Sequence, residues 1–280
     1  MKQIMGVIGH PIKHTLSPLM HEAAYNALEL NMAYLAFEVK PEDLDKAIHG
    51  IRALGLRGIN VTIPHKVEVI PFLDEIDDLA KEIGAVNTIV NDNGRLMGYN
   101  TDGEGYLKSL LQCLTNDLKG MHVLIIGAGG ASKAVALTLA KHGVKAMAIC
   151  NRTIEKAEDL AKNCGKYVPS LSISLEEAEE QINDFDIIIN TTSIGMINEN
   201  ELPISLKKLN KKKDIYFSDL IYTPFQTKLL LEGEKAGAKT LNGLDMFIYQ
   251  GALAFERWTG HEAPINVMRE AVTKHLRGGK

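Results

Sequence analysis

The stretch Gly58-Ile59-Asn60-Val61-Thr62-Ile63-Pro64-His65-Lys66 ends an apolar run with two side chains that can carry protons. Strand alternation puts Asn60 and Thr62 on one face, and the proline stops the extended run so that His65 and Lys66 stand at its tip. A histidine or a lysine in that position is a candidate general acid or base. Residue type and spacing alone leave the choice between them open.

A second stretch carries binding chemistry. Val123-Leu124-Ile125-Ile126 leads into Gly127-Ala128-Gly129-Gly130-Ala131-Ser132 and then a helical pattern, KAVALTLAKHG. A glycine-rich turn between strand and helix lets backbone N–H groups approach a pyrophosphate at the helix N-terminus, where the dipole favours negative charge. Ser132 stands where such motifs have a third glycine and is small enough for close packing; a tight βα turn without a ligand is the plainer reading of the motif alone. After the next strand, Ala146 to Cys150, an NAD site would place an acid for the ribose 2′-hydroxyl. This chain has Asn151-Arg152-Thr153 and then Lys156. A cation at a helix start opposes the macrodipole, so Arg152 and Lys156 point to a 2′-phosphate and to NADP rather than NAD.

The elements that must position these residues follow from periodicity. Apolar runs alternate with amphipathic stretches, the pattern of βαβ units and a parallel sheet. The N-terminal part reads as a strand at Met5–Ile8 and a helix from Ser17, as N-cap with Pro18 at N1, to about Leu28. A strand at Met32–Val39, a helix at Pro41–Leu54 and the GINVTI strand follow. Glu68–Ile83 reads as helical with an interruption near Pro71, and Ala85–Val90 and Arg95–Tyr99 flank Asn91-Asp92-Asn93-Gly94 as a hairpin. A helix over Gly103–Leu114 leads to the glycine-rich half, where Ile187–Asn190 and Ile215–Ser218 supply further strands and Thr191–Met196 a loop at a strand end.

Composition bounds the class. A chain of 280 residues favours two domains, and 45% hydrophobic with 24% charged residues is ordinary globular composition. A formal net charge of −4 argues against nucleic-acid or membrane-surface partners. The basic run Lys211-Lys212-Lys213 reads as a solvated turn. Cys113, Cys150 and Cys164 are odd in number and form no C-x-x-C pair, which suggests neither a disulfide framework nor a zinc site and fits a reducing cytoplasm. No secretory leader is evident at the start, and no apolar run approaches the roughly 18 residues of a membrane helix. His10 and His14 are four apart, but Pro11 lies between them and no third ligand is evident, so they read as a loop and no metal is expected.

Eight blocks along the chain resemble the motif series of the shikimate dehydrogenases: GHPIKHTLSPLMH (9–21), GINVTIPHK (58–66), GAVNTI (84–89), YNTDG (99–103), GAGGAS (127–132), NRTIEK (151–156), DLIYTPFQTKLL (219–230) and NGLDMFIYQGALAFERWTG (242–260). The resemblance implies NADPH-dependent reduction of 3-dehydroshikimate to shikimate on the way to aromatic amino acids. It implies an α/β substrate domain of residues 1–104, completed by 242–280, and a Rossmann-type doubly wound cofactor domain of residues 105–241. By the same resemblance Lys66 is the catalytic acid/base and Asp102 orients it; His65 is not a fixed histidine of the family. Thr15 and Ser17 would take the substrate carboxylate, and Asn60, Thr62, Asn87, Tyr222 and Gln250 the remaining contacts. Asn60 and Asn87 as turn stabilisers, and Tyr222 as a core aromatic, are the alternatives. The cofactor would be held by Gly127, Ala128, Gly129, Gly130, Ala131, Asn151, Arg152, Thr153, Lys156 and Thr191. Met196, Leu220 and Gly243 would line the nicotinamide side, with Asp78 a weaker cofactor position.

One residue departs from the family pattern: Thr15 replaces the first serine of a Ser-x-Ser pair, adding a methyl group and a stiffer χ1. A broader quinate/shikimate dehydrogenase is therefore the runner-up, opposed by NRTIEK because such relatives often use NAD. A catalytically silent dinucleotide sensor is a third reading, and intact Lys66 and Asp102 oppose it. The resemblance leaves monomer and homodimer both open.

Overall fold

The computed structural model describes residues 2–115, 117–210 and 215–278, so the Lys211-Lys212-Lys213 run lies outside the described residues. The chain forms two compact units, one of residues up to Gly105 together with Ile248 onward, the other Tyr106–Phe247. The sequence places these boundaries at 104/105 and 241/242, and the contacts divide at 105/106 and 247/248.

The first unit begins with β1 (Gln3–Gly9), α1 (Ser17–Ala27), β2 (Met32–Glu38), α2 (Leu44–Ala53) and β3 (Gly58–Val61). It continues with β4 (Glu75–Ile76), α3 (Asp78–Ile83), β5 (Thr88–Asp92), β6 (Arg95–Tyr99) and the start of α4 (Asp102–Cys113). Its sheet runs β2-β1-β3-β5-β6-β4. β1 is parallel to both neighbours, whereas β5 runs antiparallel to both of its neighbours, β3 and β6, so the sheet is mixed. Ile8, Ile48, Ile51, Ile59, Val61, Ile89 and Leu96 share one apolar core, and all four residues of β3 are buried, which rigidly seats the strand that carries the proton-bearing tip.

Three local expectations are corrected. Ser17 is not the N-cap of α1: that position is Leu16, without a side-chain cap, and the Ser17 N–H is taken by Thr15 Oγ1 at 3.3 Å. Glu68–Ile83 is not one helix but a 3₁₀ turn at Ile70–Phe72, the short β4, and α3. Pro71 prevents continuation, and Asp77 starts a fresh helix by accepting from Leu79 N–H at 3.0 Å and Ala80 N–H at 3.3 Å. The hairpin pairs Asp92 with Arg95, and its turn is Asn93-Gly94 alone, with φ of 52° and 95°, the left-handed pair a two-residue turn needs.

The second unit contains β7 (His122–Ile126), α5 (Gly130–His142), β8 (Ala146–Cys150), α6 (Ile154–Cys164), β9 (Ser170–Ile173) and α7 (Leu175–Glu180). β10 (Ile187–Asn190), β11 (Tyr216–Asp219), α8 (Lys228–Lys235) and β12 (Lys239–Leu241) complete its six-stranded sheet, all parallel in the order β12-β11-β10-β7-β8-β9. The order reverses between β7 and β10, and in such sheets the crevice at the carboxyl ends of those two strands is the ligand site. β9, α7 and β12 are short and were not legible from periodicity.

The chain ends with α9 (Leu244–Thr259) and α10 (Ile265–Gly278). Within the first unit α10 packs on α1, and Trp258 of α9, 2% exposed, donates its indole N–H to Ile89 O at 2.9 Å. Burying such a side chain contributes about 1.5–3 kcal/mol, which explains how a segment so distant in sequence completes the domain.

Candidate active site

At the tip of β3 the two neighbours separate in role. Thr62 N–H is bonded to Ile8 O at 3.0 Å and His65 N–H to Thr62 O at 2.9 Å, a turn that sends consecutive side chains apart. The His65 ring is 1% exposed, with Nε2 2.7 Å from Val39 O. A peptide carbonyl only accepts, so Nε2 carries the proton and that nitrogen is committed to the backbone. Lys66 instead places Nζ 2.6 Å from Asp102 Oδ2, with side-chain exposures of 19% and 7%. Asn87 Nδ2 donates to the other carboxylate oxygen at 2.8 Å. Asp102 opens α4, where the helix dipole favours its negative charge. An ammonium so held is aimed, partly desolvated and able to donate a proton to an oxygen that gains charge.

Around this pair lies a polar lattice with nearly every bond closed inside the protein. Asn87 Oδ1 accepts Thr101 N–H at 2.8 Å and Thr88 O–H at 3.0 Å, and its Nδ2 also reaches Thr101 Oγ1 at 3.0 Å. Asn60 Nδ2 donates to Asn87 O and Thr88 Oγ1, each at 3.1 Å, while its Oδ1 accepts the Tyr34 hydroxyl at 2.7 Å. Thr15 Oγ1 and Ser17 Oγ stand 3.2 Å apart, Ser17 buried and Thr15 half-buried. The Gln250 backbone carbonyl accepts from Thr101 Oγ1 at 3.0 Å, tying α9 to the same lattice, and the Gln250 and Thr62 side chains are half-buried. Asn60 and Asn87 thus act at least as organisers. Thr88, Thr101 and Tyr34 were missed by residue reasoning because nothing in their local spacing marks them; only the pairing of Asn60 with Thr88 across β3 and β5 brings them in.

In the second unit the residues expected to hold a nucleotide gather at the β7/β10 switch point. Gly127 has φ +114°, and a Cβ there would lie 2.6 Å from Thr191 Oγ1, so the turn admits only glycine. Ser132 is fully buried and does more than pack: its Oγ accepts Gly129 N–H at 3.1 Å and lies 2.5 Å from Thr191 Oγ1. Thr191 in turn donates to Ile126 O at 2.7 Å. Beside the turn a 240 Å³ pocket is lined by Gly127, Asn151, Arg152, Thr192, Ser193 and Ile194. Ala128 is buried and Ala131 half-buried, whereas Gly129 and Gly130 have no atom within 4 Å of where a Cβ would sit, leaving open space before the α5 N-terminus. Arg152, Thr153 and Lys156 are exposed at the start of α6, Asn151 Nδ2 donates to Thr153 O at 2.8 Å, and neither cation has an ion-pair partner among the described residues. These features fit a phosphorylated dinucleotide.

Below the β10 and β11 ends, Asp219 is 1% exposed and accepts from Ile221 N–H at 3.0 Å, Thr227 O–H at 2.8 Å and Asn190 Nδ2. Burial pushes its carboxyl up to about 6, against the downward pull of those three donors. Leu220 N–H bonds Asn190 O and Gly243 N–H bonds Ile221 O, each at 3.0 Å, so this buried acid pins the loop that presents Leu220. Tyr222 stacks on Phe247 with centroids 4.8 Å apart, and burial raises its hydroxyl. Met196 is 48% exposed. Asp78, in the first unit, is fully exposed and 3.4 Å from Lys81 Nζ, a surface ion pair.

A family model for the shikimate dehydrogenase substrate binding domain matches residues 7–89, one for shikimate/quinate 5-dehydrogenase residues 109–222, and one for the shikimate 5′-dehydrogenase C-terminal domain residues 243–273. A shikimate dehydrogenase (NADP+) of Bacillus cereus is 50% identical over 279 residues, 99% of this chain and all of the relative. The chain belongs to the shikimate dehydrogenase family. A crystal structure of a shikimate dehydrogenase in complex with NADP+ has a TM-score of 0.91 and 45% identity, covering 98% of this chain and 96% of that one. A Corynebacterium glutamicum quinate dehydrogenase in complex with NAD reaches a TM-score of 0.90 at 30% identity, over 98% and 99% of the two chains. Within the family, then, the fold does not distinguish these substrates; side chains must.

Among the described residues, no helix is long and apolar enough to cross a membrane, and no group of three or more His, Cys, Asp or Glu side chains is placed to hold a metal.

Proposed function

We propose that this chain, an NADP-dependent shikimate dehydrogenase, reversibly reduces 3-dehydroshikimate to shikimate, with Lys66 as acid/base and Asp102 as its orienting partner. The single observation that carries the assignment of roles is the Lys66–Asp102 contact of 2.6 Å, held from behind by Asn87, while His65 is tied to Val39 O. NADPH, when bound, supplies the hydride. As charge develops on the ketone oxygen, the Lys66 ammonium donates its proton there and is reprotonated from solvent; in the oxidative direction the amine accepts the hydroxyl proton. Asp102 keeps the ammonium aimed. Thr15 and Ser17 offer two adjacent hydroxyl donors for the carboxylate, and Asn60, Thr62, Asn87, Tyr222 and Gln250 are assigned to the remaining substrate contacts.

The nucleotide is assigned to Gly127 through Ala131, Asn151, Arg152, Thr153, Lys156 and Thr191, with Met196, Leu220 and Gly243 along the nicotinamide side and Asp78 as a peripheral position. Arg152 and Lys156, exposed and without an ion-pair partner among the described residues, favour a 2′-phosphate. A cytoplasmic location and a monomeric or homodimeric state belong to the same proposal; the three cysteines, which form no disulfide, accord with that location.

The second reading, a quinate/shikimate dehydrogenase, rests on Thr15, whose added methyl changes the carboxylate pair. Initial rates with shikimate and quinate, each with NADP and NAD, decide between them. The proposal expects shikimate with NADP to exceed every other combination by at least tenfold in kcat/KM. Comparable rates with quinate would establish the broader enzyme, and no turnover of any pair would refute both.

A further inference from the structure

Tyr34 sits in β2, two strands away from β3, and makes no claim on chemistry by sequence position. It is 1% exposed, yet its hydroxyl is 2.7 Å from Asn60 Oδ1. The direction of that bond is fixed. Asn60 Nδ2 faces Asn87 O, a carbonyl that only accepts, so the amide nitrogen must stay on that side and Oδ1 must face Tyr34. The Tyr34 proton is therefore committed to Asn60.

The result is a continuous polar chain. Tyr34 holds Asn60, Asn60 bonds Asn87 O and Thr88, Asn87 holds Asp102, and Asp102 holds Lys66. Tyr34 stands at the end of this chain, behind Asn60. Its ring is immobilised as well: it stacks on His21 with centroids 4.3 Å apart and planes 5° from parallel, and it meets Trp258 at 6.0 Å. Its backbone N–H bonds Glu22 Oε1.

We propose that Tyr34 is a positioning residue for the substrate pocket, acting through Asn60: Asn87 O sets which way the amide faces, and the Tyr34 hydroxyl anchors its carbonyl end and thereby sets where that amide meets a substrate hydroxyl. The inference rests on the reading of Asn60 as a substrate contact. Tyr34→Phe removes one O–H and keeps the stacked ring, so the fold survives while the Asn60 carbonyl loses its donor. A neutral hydrogen bond of this kind corresponds to about a five- to tenfold rise in the KM for shikimate, with kcat within about threefold and the KM for NADP within about twofold.

The test is a double-mutant cycle on the full chain with Tyr34→Phe, Asn60→Ala and both, following shikimate KM, kcat and thermal melting. Because Tyr34 acts through Asn60, adding Tyr34→Phe to Asn60→Ala should change KM by less than about twofold. An unaltered KM in Tyr34→Phe alone, or the same-fold rise in both backgrounds, would overturn the proposal. A second readout needs no turnover: the Asn60 side-chain amide NMR pair, assigned by its disappearance in Asn60→Ala. Tyr34→Phe should speed hydrogen exchange of that pair at least about tenfold, because without the anchor on its carbonyl end the amide opens its two Nδ2 bonds more readily; unchanged exchange would overturn the positioning role. If the parent enzyme failed to oxidise shikimate while the amide pair responded as expected, the assigned activity would fail and the Tyr34–Asn60 linkage would stand.

Discussion

Replacing Lys66 and His65 one at a time should damage two different properties. In Lys66→Ala the proton donor is gone, and a positioned acid/base contributes roughly two to four decades in kcat, about 3–5.5 kcal/mol of barrier. Its cost to folding should be moderate. Asp102 keeps the 2.8 Å bond from Asn87 and its place at the first residue of α4, so the exposed consequence is one lost charge-assisted bond of about 1.5–3 kcal/mol, partly offset by the helix dipole. His65→Ala removes a side chain 1% exposed and strands the Val39 carbonyl that it bonded at 2.7 Å. An unpaired buried carbonyl costs about 1–3 kcal/mol, and the cavity adds to it, for about 2–4 kcal/mol in all. At about 2–4 °C per kcal/mol this is a fall of about 5–15 °C in Tm, with kcat within about threefold at temperatures where the variant is folded. Steady-state rates with shikimate and NADP, thermal melts, and NADPH fluorescence titration on both variants give the comparison. Cofactor affinity should stay within a few-fold in each. Loss of turnover in His65→Ala, with Lys66→Ala retaining kcat within a factor of a few, would refute the assignment of the proton to Lys66.

Three further outcomes are expected. Arg152→Asp puts a repelling charge where a 2′-phosphate is expected and should lower kcat/KM for NADP by about one to two decades while changing NAD by less than about threefold, measured with shikimate saturating; equal losses would remove Arg152 from phosphate recognition. Gly127→Ala forces a side chain into φ +114° and a Cβ to 2.6 Å from Thr191 Oγ1, so NADPH affinity by fluorescence titration should fall at least about tenfold; unchanged affinity would show that the turn can relax. Asp219 has a carboxyl raised from 3.8 to about 6, so the folded state holds its proton more tightly than the unfolded chain. The stability it contributes is complete below about 4 and lost as pH rises through about 6, a total of about 3 kcal/mol at no more than about 1.4 kcal/mol per pH unit. Asp219→Asn should abolish that component of the urea-unfolding profile between pH 4 and 6 while keeping an acceptor for Ile221 N–H, and an identical pH profile in the variant would show that the acid is not perturbed.

What the sequence by itself determined is local chemistry and its order along the chain. The β7–GAGGAS–α5 unit was legible because a strand period, a glycine turn and a helix period follow one another without interruption, and each is set by neighbours within a few residues. Arg152 at a helix start was readable for the same reason. The resemblance supplied the pairing of Lys66 with Asp102, 36 residues apart, which no periodicity contains. Where competing local signals met, sequence reading gave way: the stretch read as a helix interrupted near Pro71 is three separate elements, and Ser17 turns its hydroxyl toward Thr15 instead of capping α1.

Residue type and spacing left His65 and Lys66 equivalent; the contacts that separate them, Lys66 on a partner acid and His65 spent on the backbone, exist only in the tertiary structure, because they depend on where the end of β2 and α4 arrive beside the tip of β3. It alone revealed that Asn60 and Asn87 are bonded on nearly every side, that Ser132 ties the glycine turn to Thr191, and that Tyr34 completes the chain of polar groups. The physical reason is common to all of them. Hydrogen-bond direction and burial are properties of groups brought together by sheet register, and register joins residues such as Asn60 and Thr88 that share no local pattern.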